Sequence, residues 1–250
     1  MRARASAVVT LACALALAAG AACAQDQPAT KAAAPADTAK KAASTKTTGK
    51  ASPAAVDAAV KAIDAQIAKN AVDKKDPQWK TKLKAPTMAK FDPARGYYAR
   101  MVTNVGPMLI KLKPEVAPYH VTNFIYLARM GFFDGTKFHR VMRGFMAQGG
   151  DPLGTGTGGP GYNFNAEISP KALHNGPGVL STANTGQPGS DGSQFFIMFN
   201  AYASLDGHYT VFGQVEEGME TLKAIEAVAN PGDGPPTSPL NITKVTIEVK

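Results

Sequence analysis

Hydrophobic side chains recur at helical spacing near the start of the chain. The stripe consists of four aliphatic side chains placed four, three and four residues apart: Val56, Val60, Ile63 and Ile67. This period predicts one apolar face of an α-helix over residues 54–70. Ser52 is expected to cap the helix, with Pro53 at its first position. The apolar face would need a covering surface, either on the main domain or on a partner.

Two more helices are predicted in the second half of the chain. Pro118 opens the first, which ends before Gly131, a residue suited to the left-handed conformation that follows many helices. Its apolar face comprises Val121, Phe124, Ile125 and Ala128. The other helix covers residues 219–228 and is stopped by the sequence Asn230-Pro231-Gly232.

Short apolar segments bounded by glycine, proline and asparagine predict β-strands. Residues 97–103 and 108–112 flank Asn104-Val105-Gly106-Pro107, a turn sequence that predicts a hairpin. Six further strands are predicted at residues 137–142, 145–149, 178–182, 194–199, 209–215 and 242–249. Many short strands without an internal repeat indicate a closed antiparallel barrel or a sandwich, and the pattern agrees with both.

The first residues have the pattern of a secretory signal peptide. Arg2 and Arg4 precede an apolar run over residues 8–19, and Ala22-Cys23-Ala24 has the small side chains of a cleavage site. The apolar run is too short to remain as a membrane-spanning helix. We therefore predict a signal peptide over residues 1–24 and a periplasmic protein.

A lipid anchor is the alternative for this segment. If Cys23 were lipidated, the protein would be a lipoprotein tethered to a membrane. Gly20-Ala21-Ala22 is a weak context for that modification, so cleavage before Gln25 is favoured. Both cysteines, Cys13 and Cys23, precede Gln25, and a product beginning there has no disulfide.

Composition and charge divide the rest of the chain. Residues 25–53 have almost no large apolar side chains, which predicts a disordered linker rich in Ala, Lys and Pro. Residues 54–90 are expected to form the N-terminal helix and a connector, and residues 91–250 a folded domain. Residues 25–90 carry 13 Lys and 6 Asp, whereas residues 91–250 carry 12 basic and 13 acidic side chains. Because the domain is almost neutral, nucleic acid is not an expected partner.

Three segments of the domain combine aromatic, amide and glycine residues in a distinctive way. They are Phe138 to Asp151, which begins Phe138-His139-Arg140, then Leu180-Ser181-Thr182-Ala183-Asn184, and Ser193-Gln194-Phe195-Phe196. Together they resemble the active-site wall of the cyclophilins, a family of peptidyl-prolyl cis-trans isomerases. The resemblance covers residues 97–249. It implies a mainly β fold, a closed eight-stranded antiparallel barrel capped by two α-helices.

The resemblance also implies roles for individual residues. Arg140 matches the essential arginine of the family and is the expected catalytic group, because its rigid, charged fork can donate to the prolyl nitrogen. The expected substrate-binding residues are apolar or aromatic (Phe145, Met146, Phe196, Leu205 and Tyr209) or flank and form the polar contact strand (Gln148, Ala183, Asn184, Thr185 and Gln194). Ser204 stands where cyclosporin-sensitive members have tryptophan, so weak cyclosporin binding is expected.

The expected activity is the rotation of Xaa-Pro bonds in proline-containing unfolded polypeptides or loops, assisting the folding of exported proteins. It requires no cofactor and no metal, and we expect a monomer. A non-catalytic peptide-binding or chaperone module on the same fold is the alternative. Taken singly, each residue also has a structural interpretation. Arg140 could be a surface arginine in a salt bridge, and the aromatic residues could pack in a core.

A nucleotide site is not expected. Gly154, Gly156 and Gly159 have the spacing of a dinucleotide fingerprint, but Pro160 prevents the helix that must follow.

Overall fold

Eight antiparallel strands and three α-helices make up the part of the chain that the structure, a computed structural model, describes, residues 57–250. The strands are β1 (Tyr97–Thr103), β2 (Gly106–Leu112), β3 (Arg140–Met142), β4 (Met146–Gly149), β5 (Val179–Thr182), β6 (Phe195–Met198), β7 (Val211–Glu217) and β8 (Ile242–Val249). The helices are α1 (Ala58–Lys69), α2 (Pro118–Arg129) and α3 (Met219–Ala227). The expected signal peptide and linker, residues 1–24 and 25–53, lie outside the described residues.

The strands form one sheet in the order β3-β4-β6-β5-β7-β2-β1-β8, and every pair of neighbours is antiparallel. The predicted hairpin, the strand over residues 242–249 and the helix that begins at Pro118 are confirmed. Gly131 adopts a φ of 72° just beyond that helix, as its position predicted. Among residues 57–250, none of the helices combines the length and hydrophobicity that a membrane span requires.

The expected closed barrel is wrong, because the sheet is a half-barrel that stays open between β3 and β8. β3 has only three residues, and the loop over residues 230–234 occupies its free edge. The Asn230 amide donates to the Val141 carbonyl, and the Val141 amide donates to the Gly234 carbonyl, both at 3.0 Å. Before β3, a single bridge joins Lys137 to Asn241. A loop and a few hydrogen bonds between residues 135–138 and 240–242 therefore connect the two edges, where the resemblance implied a closed barrel.

Helix α1 begins later than the sequence pattern predicted, and its cap is a different residue. The Asp57 carboxylate accepts hydrogen bonds from the amides of Ala59 and Val60, at 2.9 and 3.1 Å. Its second oxygen accepts from the Tyr97 hydroxyl at 3.0 Å. Asp57 is thus the N-cap, and the predicted cap Ser52-Pro53 lies outside the described residues. The buried face of α1 packs on the main domain, which was one of the two covering surfaces that the sequence left open.

Two separate hydrophobic clusters lie on opposite faces of β6. Phe195 and Ile197 belong to the main core, whereas Phe196 and Met198 belong to a second cluster. Adjacent strand residues point to opposite faces, which explains the alternation. The buried residues of the second cluster are Met146, Ala172, Val179, Phe196, Met198, Leu205 and Val211. This second cluster forms a patch of apolar side chains apart from the main core.

Candidate active site

Strand register aligns four of the most distinctive side chains across the sheet. Arg140 of β3 faces Gln148 of β4, which in turn faces Phe196 of β6. Phe196 also faces Ser181 of β5. Residues directly opposite one another in antiparallel strands point to the same face of a sheet. Side chains 8 to 56 residues apart along the chain therefore form one row on the face of the second cluster.

The polar end of this row is a chain of hydrogen bonds through Arg140. The Arg140 Nη1 donates to Gln148 Oε1 at 3.2 Å, and Gln148 Nε2 donates to Gln194 Oε1 at 2.9 Å. On its other side, Arg140 donates through Nε and Nη2 to the carboxylate of Asp233, with a distance of 2.9 Å for Nη2. The guanidinium therefore has an ion-pair partner, as the surface salt-bridge interpretation expected, while it also lies in the row of predicted site residues.

Gln194 is held by a loop that wraps around Asp151. The buried Asp151 carboxylate accepts hydrogen bonds from four backbone amides: Leu153, Thr155, Gly156 and Gly158. Burial alone would raise the pKa of Asp151, but these bonds outweigh it and lower the pKa. Gln194 Nε2 donates to the carbonyls of Gly156 and Gly158 at 3.0 and 2.9 Å. A Cβ on Gly158 would lie 2.0 Å from Asp151 Oδ1, so the glycines here allow the loop to close around a carboxylate.

The predicted apolar residues meet in the second cluster. Its members include six of the expected substrate-binding residues: Phe145, Met146, Ala183, Phe196, Leu205 and Tyr209. Met146, Phe196 and Leu205 are buried, whereas Phe145 and Tyr209 are partly exposed at the rim. The ring of Tyr209 stands edge-on to Phe196, with centroids 5.7 Å apart. The buried members pack together, as the core-packing interpretation expected, and the rim members remain accessible to a ligand.

Asn184 and Thr185 lie at the other end of the site, in the loop that follows β5. The Ala183 amide donates to the Gln194 carbonyl at 3.0 Å, which continues the pairing of β5 with β6. Asn184 Nδ2 donates to the carbonyl of His208 at 3.3 Å. Thr185 is exposed, and its amide donates to Ser190 Oγ at 3.2 Å. Thr185 therefore belongs to the loop rather than to the cluster.

A buried histidine packs against Phe196, and its position beside the site was not predicted from the sequence. His174 lies 2.9 Å from Asp206 through Nδ1 and 3.0 Å from Ser181 Oγ through Nε2. Its ring stacks on Phe196 at a centroid distance of 5.9 Å. Burial lowers the pKa of His174 more than Asp206 raises it, which favours the neutral imidazole. Ser181 is fully buried, so this Ser-His-Asp arrangement braces Phe196 and cannot present a nucleophile to a substrate.

Asp233, too, was not identified from the sequence as a residue of the site. It lies 93 residues after Arg140 in a loop without hydrophobic periodicity, and no local pattern links the two. Only the three-dimensional pairing of that loop with β3 brings the carboxylate to the guanidinium.

The site can therefore hold an extended peptide by chemistry that its own residues supply. An aromatic and aliphatic patch suits a proline ring, and the guanidinium and side-chain amides suit the peptide backbone. Within residues 57–250, no group of three or more His, Cys, Asp or Glu side chains is placed to hold a metal ion.

The half-barrel places the Arg140 guanidinium in the same row of side chains as the apolar and aromatic second cluster. The family model described as cyclophilin type peptidyl-prolyl cis-trans isomerase/CLD matches residues 98–247. The chain belongs to the cyclophilin-type peptidyl-prolyl cis-trans isomerase family.

Relatives from several kingdoms share this domain. Peptidyl-prolyl cis-trans isomerase B of Streptomyces anulatus is 42% identical over 175 residues, covering 63% of this chain and 99% of that protein. Peptidyl-prolyl cis-trans isomerase-like 2 of Cryptococcus neoformans is 44% identical over 171 residues, covering 66% of this chain. The chain spans only 30% of the length of that Cryptococcus protein.

Solved structures show the same fold. The crystal structure of a cyclophilin type peptidyl-prolyl cis-trans isomerase from Cryptosporidium parvum is 34% identical, with a TM-score of 0.59. The match covers 61% of this chain and 98% of that one. A second crystal structure of the Cryptosporidium protein, in the presence of the dipeptide Ala-Pro, matches with a TM-score of 0.58, 35% identity and coverage of 60% and 98%.

Proposed function

We propose that the chain is a peptidyl-prolyl cis-trans isomerase that rotates Xaa-Pro bonds in unfolded or loop segments. The observation that carries the proposal is the row across β3, β4 and β6, where the Arg140 guanidinium and the Gln148 amide border the aromatic cluster of Phe196. The similar Cryptosporidium protein, crystallised in the presence of Ala-Pro, supports the same ligand class. Family membership supports the reaction.

Isomerisation requires rotation about a bond with partial double-bond character, with a barrier of roughly 18–20 kcal/mol. In the twisted transition state the prolyl nitrogen regains its lone pair, and a donor aimed at that nitrogen stabilises the transition state more than the planar substrate. Arg140 is the donor, because guanidinium stays charged and is planar. The apolar cluster holds the proline ring while Gln148, Asn184 and Gln194 bind the peptide backbone on either side.

The cellular role that we propose is assistance to the folding of exported proteins in the bacterial periplasm. The support is the signal-peptide pattern of residues 1–24, with Arg2 and Arg4 before the apolar run. A lipoprotein anchored through Cys23 is the alternative. Mass analysis of the mature N-terminus distinguishes the two, because one product begins at Gln25 and the other at a lipidated Cys23.

Substitution of Arg140 tests the proposed reaction. We expect Arg140→Ala to lower kcat/KM for a proline-containing test peptide by about 10²–10³-fold, the usual effect of removing one transition-state donor. Arg140→Lys should also lose most activity, since a single ammonium cannot reproduce the planar fork. Arg143→Ala, which removes an exposed arginine three residues away, is the control and should retain wild-type turnover. Unchanged turnover in Arg140→Ala would refute the mechanism.

A non-catalytic peptide-binding or chaperone module is the second candidate. The ion pair between Arg140 and Asp233 favours it, because a guanidinium engaged by a carboxylate could serve the structure alone. The discriminating observation is a wild-type protein that binds proline peptides in a titration yet does not accelerate their isomerisation.

A further inference from the structure

The loop that carries Asp233 is attached to β3 on both sides of the acidic residue. Asn230 donates to the carbonyl of Val141, and Gly234 accepts from the amide of Val141, the residue that follows Arg140. Within the loop, Asn230 Oδ1 accepts from the Gly232 amide at 2.9 Å, and Asn230 Nδ2 donates to the Pro235 carbonyl at 3.1 Å. The carboxylate is therefore fixed relative to the backbone of the strand that bears the guanidinium.

The contact uses a specific edge of the guanidinium. Of the five N–H groups of an arginine side chain, the Arg140 Nε–H and one Nη2–H are directed to Asp233, and one Nη1–H is directed to Gln148. One N–H remains on each terminal nitrogen. The two acceptors thus fix the plane of the fork and leave these two N–H groups for a substrate.

Stability is a weak explanation for this ion pair. The side chains of Arg140 and Asp233 are 29% and 56% exposed, and exposed pairs contribute little to folding. The hydrogen bonds from Arg140 hold the pKa of Asp233 below its usual value, so the carboxylate is charged at neutral pH. Without it, a long and partly exposed arginine would sample many rotamers, since Gln148 would fix one nitrogen only.

We propose that Asp233 is a positioning residue for the isomerase reaction, which orients the Arg140 guanidinium so that its terminal N–H groups are directed at the substrate prolyl bond. This inference rests on the proposed function and deepens it. A preoriented donor needs no reorganisation when the bond twists, and the benefit of such a donor is greatest in the transition state. The carboxylate therefore acts through Arg140 and need not touch the peptide.

The test compares Asp233→Ala, Asp233→Asn and Asp233→Glu in the isomerase assay. We expect Asp233→Ala to lower kcat/KM by about tenfold, mainly through kcat, as for a modest misplacement of a catalytic group. Asp233→Asn should have a lower kcat/KM than the wild type. Asp233→Glu should be more active than Asp233→Ala, because it keeps a charged acceptor. In an Arg140→Ala background, Asp233→Ala should have no further effect.

The matched control is Asp64→Ala. Asp64 forms the same two-point ion pair with Arg129, between α1 and α2, and its side chain is also partly exposed. Its removal should leave kcat and KM unchanged. Wild-type or faster turnover in Asp233→Ala would overturn the inference, and faster turnover would identify the ion pair as inhibitory.

A second measurement separates this inference from the proposed function. Hydrogen exchange of the Arg140 Nε–H, followed by NMR in the free protein, should be slow in the wild type and faster in Asp233→Ala. Equal exchange rates would refute the positioning role whether or not the protein is an isomerase. If the exchange rates differ but the wild type shows no turnover, the proposed activity fails while the positioning of Arg140 stands.

Discussion

His120 is a buried side chain that joins two carboxylates outside the candidate site. Its Nδ1 lies 2.7 Å from Glu167 and its Nε2 lies 2.8 Å from Asp191. The imidazole is 1% exposed and packs against the rings of Phe164 and Phe212. His120 thereby ties α2 to the segment that leads into β6, where the candidate site is built.

The protonation of His120 couples this contact to pH. Burial alone would lower the pKa of His120, but the hydrogen bonds to Asp191 and Glu167 outweigh burial and raise it. Because the folded-state pKa lies above the unfolded value, the stabilisation is complete below about pH 6.5 and is lost as the pH rises through the folded-state pKa.

We therefore expect His120→Gln to lower the free energy of unfolding by about 3 kcal/mol at pH 6, the usual cost of breaking a buried ion pair. The loss should be smaller at pH 9, because the imidazole loses its charge as the pH rises through its raised pKa. Urea unfolding of both proteins at the two pH values measures the difference. His208→Gln, at an exposed histidine, is the control and should change stability little at either pH. An equal loss at both pH values would contradict a contribution of His120 that is lost as the pH rises.

At the scale of single elements, β6 divides the interior of the domain from the site. Phe195 contributes to the main core with neighbours such as Phe133, whereas Phe196 faces the second cluster and stacks on His174. Two adjacent residues of the same type thus have different surroundings. The strand provides a matched pair for separating stability from substrate binding.

Phe196→Leu is expected to raise KM by up to about tenfold, because an aromatic contact of about 1 kcal/mol with the proline ring is lost. Phe195→Leu should lower the free energy of unfolding by about 1–3 kcal/mol and leave KM unchanged. Turnover kinetics and urea unfolding of the two variants measure both quantities. If the two variants changed KM equally, Phe196 would not belong to the site.

Sequence periodicity predicted most elements because local patterns determine them. The hairpin of β1 and β2 and helix α2 have strong turn and capping signals, and each formed where the pattern placed it. The predicted N-cap of α1 was wrong because Asp57 is also a good capping residue. Its hydrogen bond to Tyr97, 40 residues away, favours Asp57 as the cap. The family resemblance predicted that Arg140 and Gln148 belong to one site. The position of Asp233 depends on the pairing of its loop with β3, which no local sequence pattern encodes.

At the scale of the whole molecule, residues 57–91 pack against the rest of the domain and contribute to its main core. The Gln66 side chain exchanges hydrogen bonds with the backbone of Thr87, which returns the connector to α1. The Leu83 amide donates to the Pro160 carbonyl at 2.9 Å, and Trp79 packs edge-on to Phe132. These contacts attach α1 and the connector to the family domain at several points.

Ile63→Ala should therefore destabilise the whole domain. Ile63 is fully buried in the main core, and a large-to-small change there costs about 2–5 kcal/mol. We expect kcat/KM to stay at the wild-type value below the unfolding transition, because Ile63 belongs to the main core and not to the second cluster. Urea unfolding and the isomerase assay measure the two effects, and Lys61→Ala, on the exposed face of α1, is the control. Unchanged stability would mean that α1 is not part of the cooperative unit.

The loop along β3 also affects whether copies of the protein can associate through the edges of their sheets. An uncovered strand edge is a template on which another chain can add a strand, and fibrous aggregates grow in this way. Here both outward backbone groups of Val141 are already bonded to residues 230 and 234, and Ile242 on the opposite edge exchanges bonds with Gly135 and Thr136. These bonds occupy the outward backbone groups of Val141 and Ile242, so incomplete closure does not leave these positions as templates for a strand of another chain.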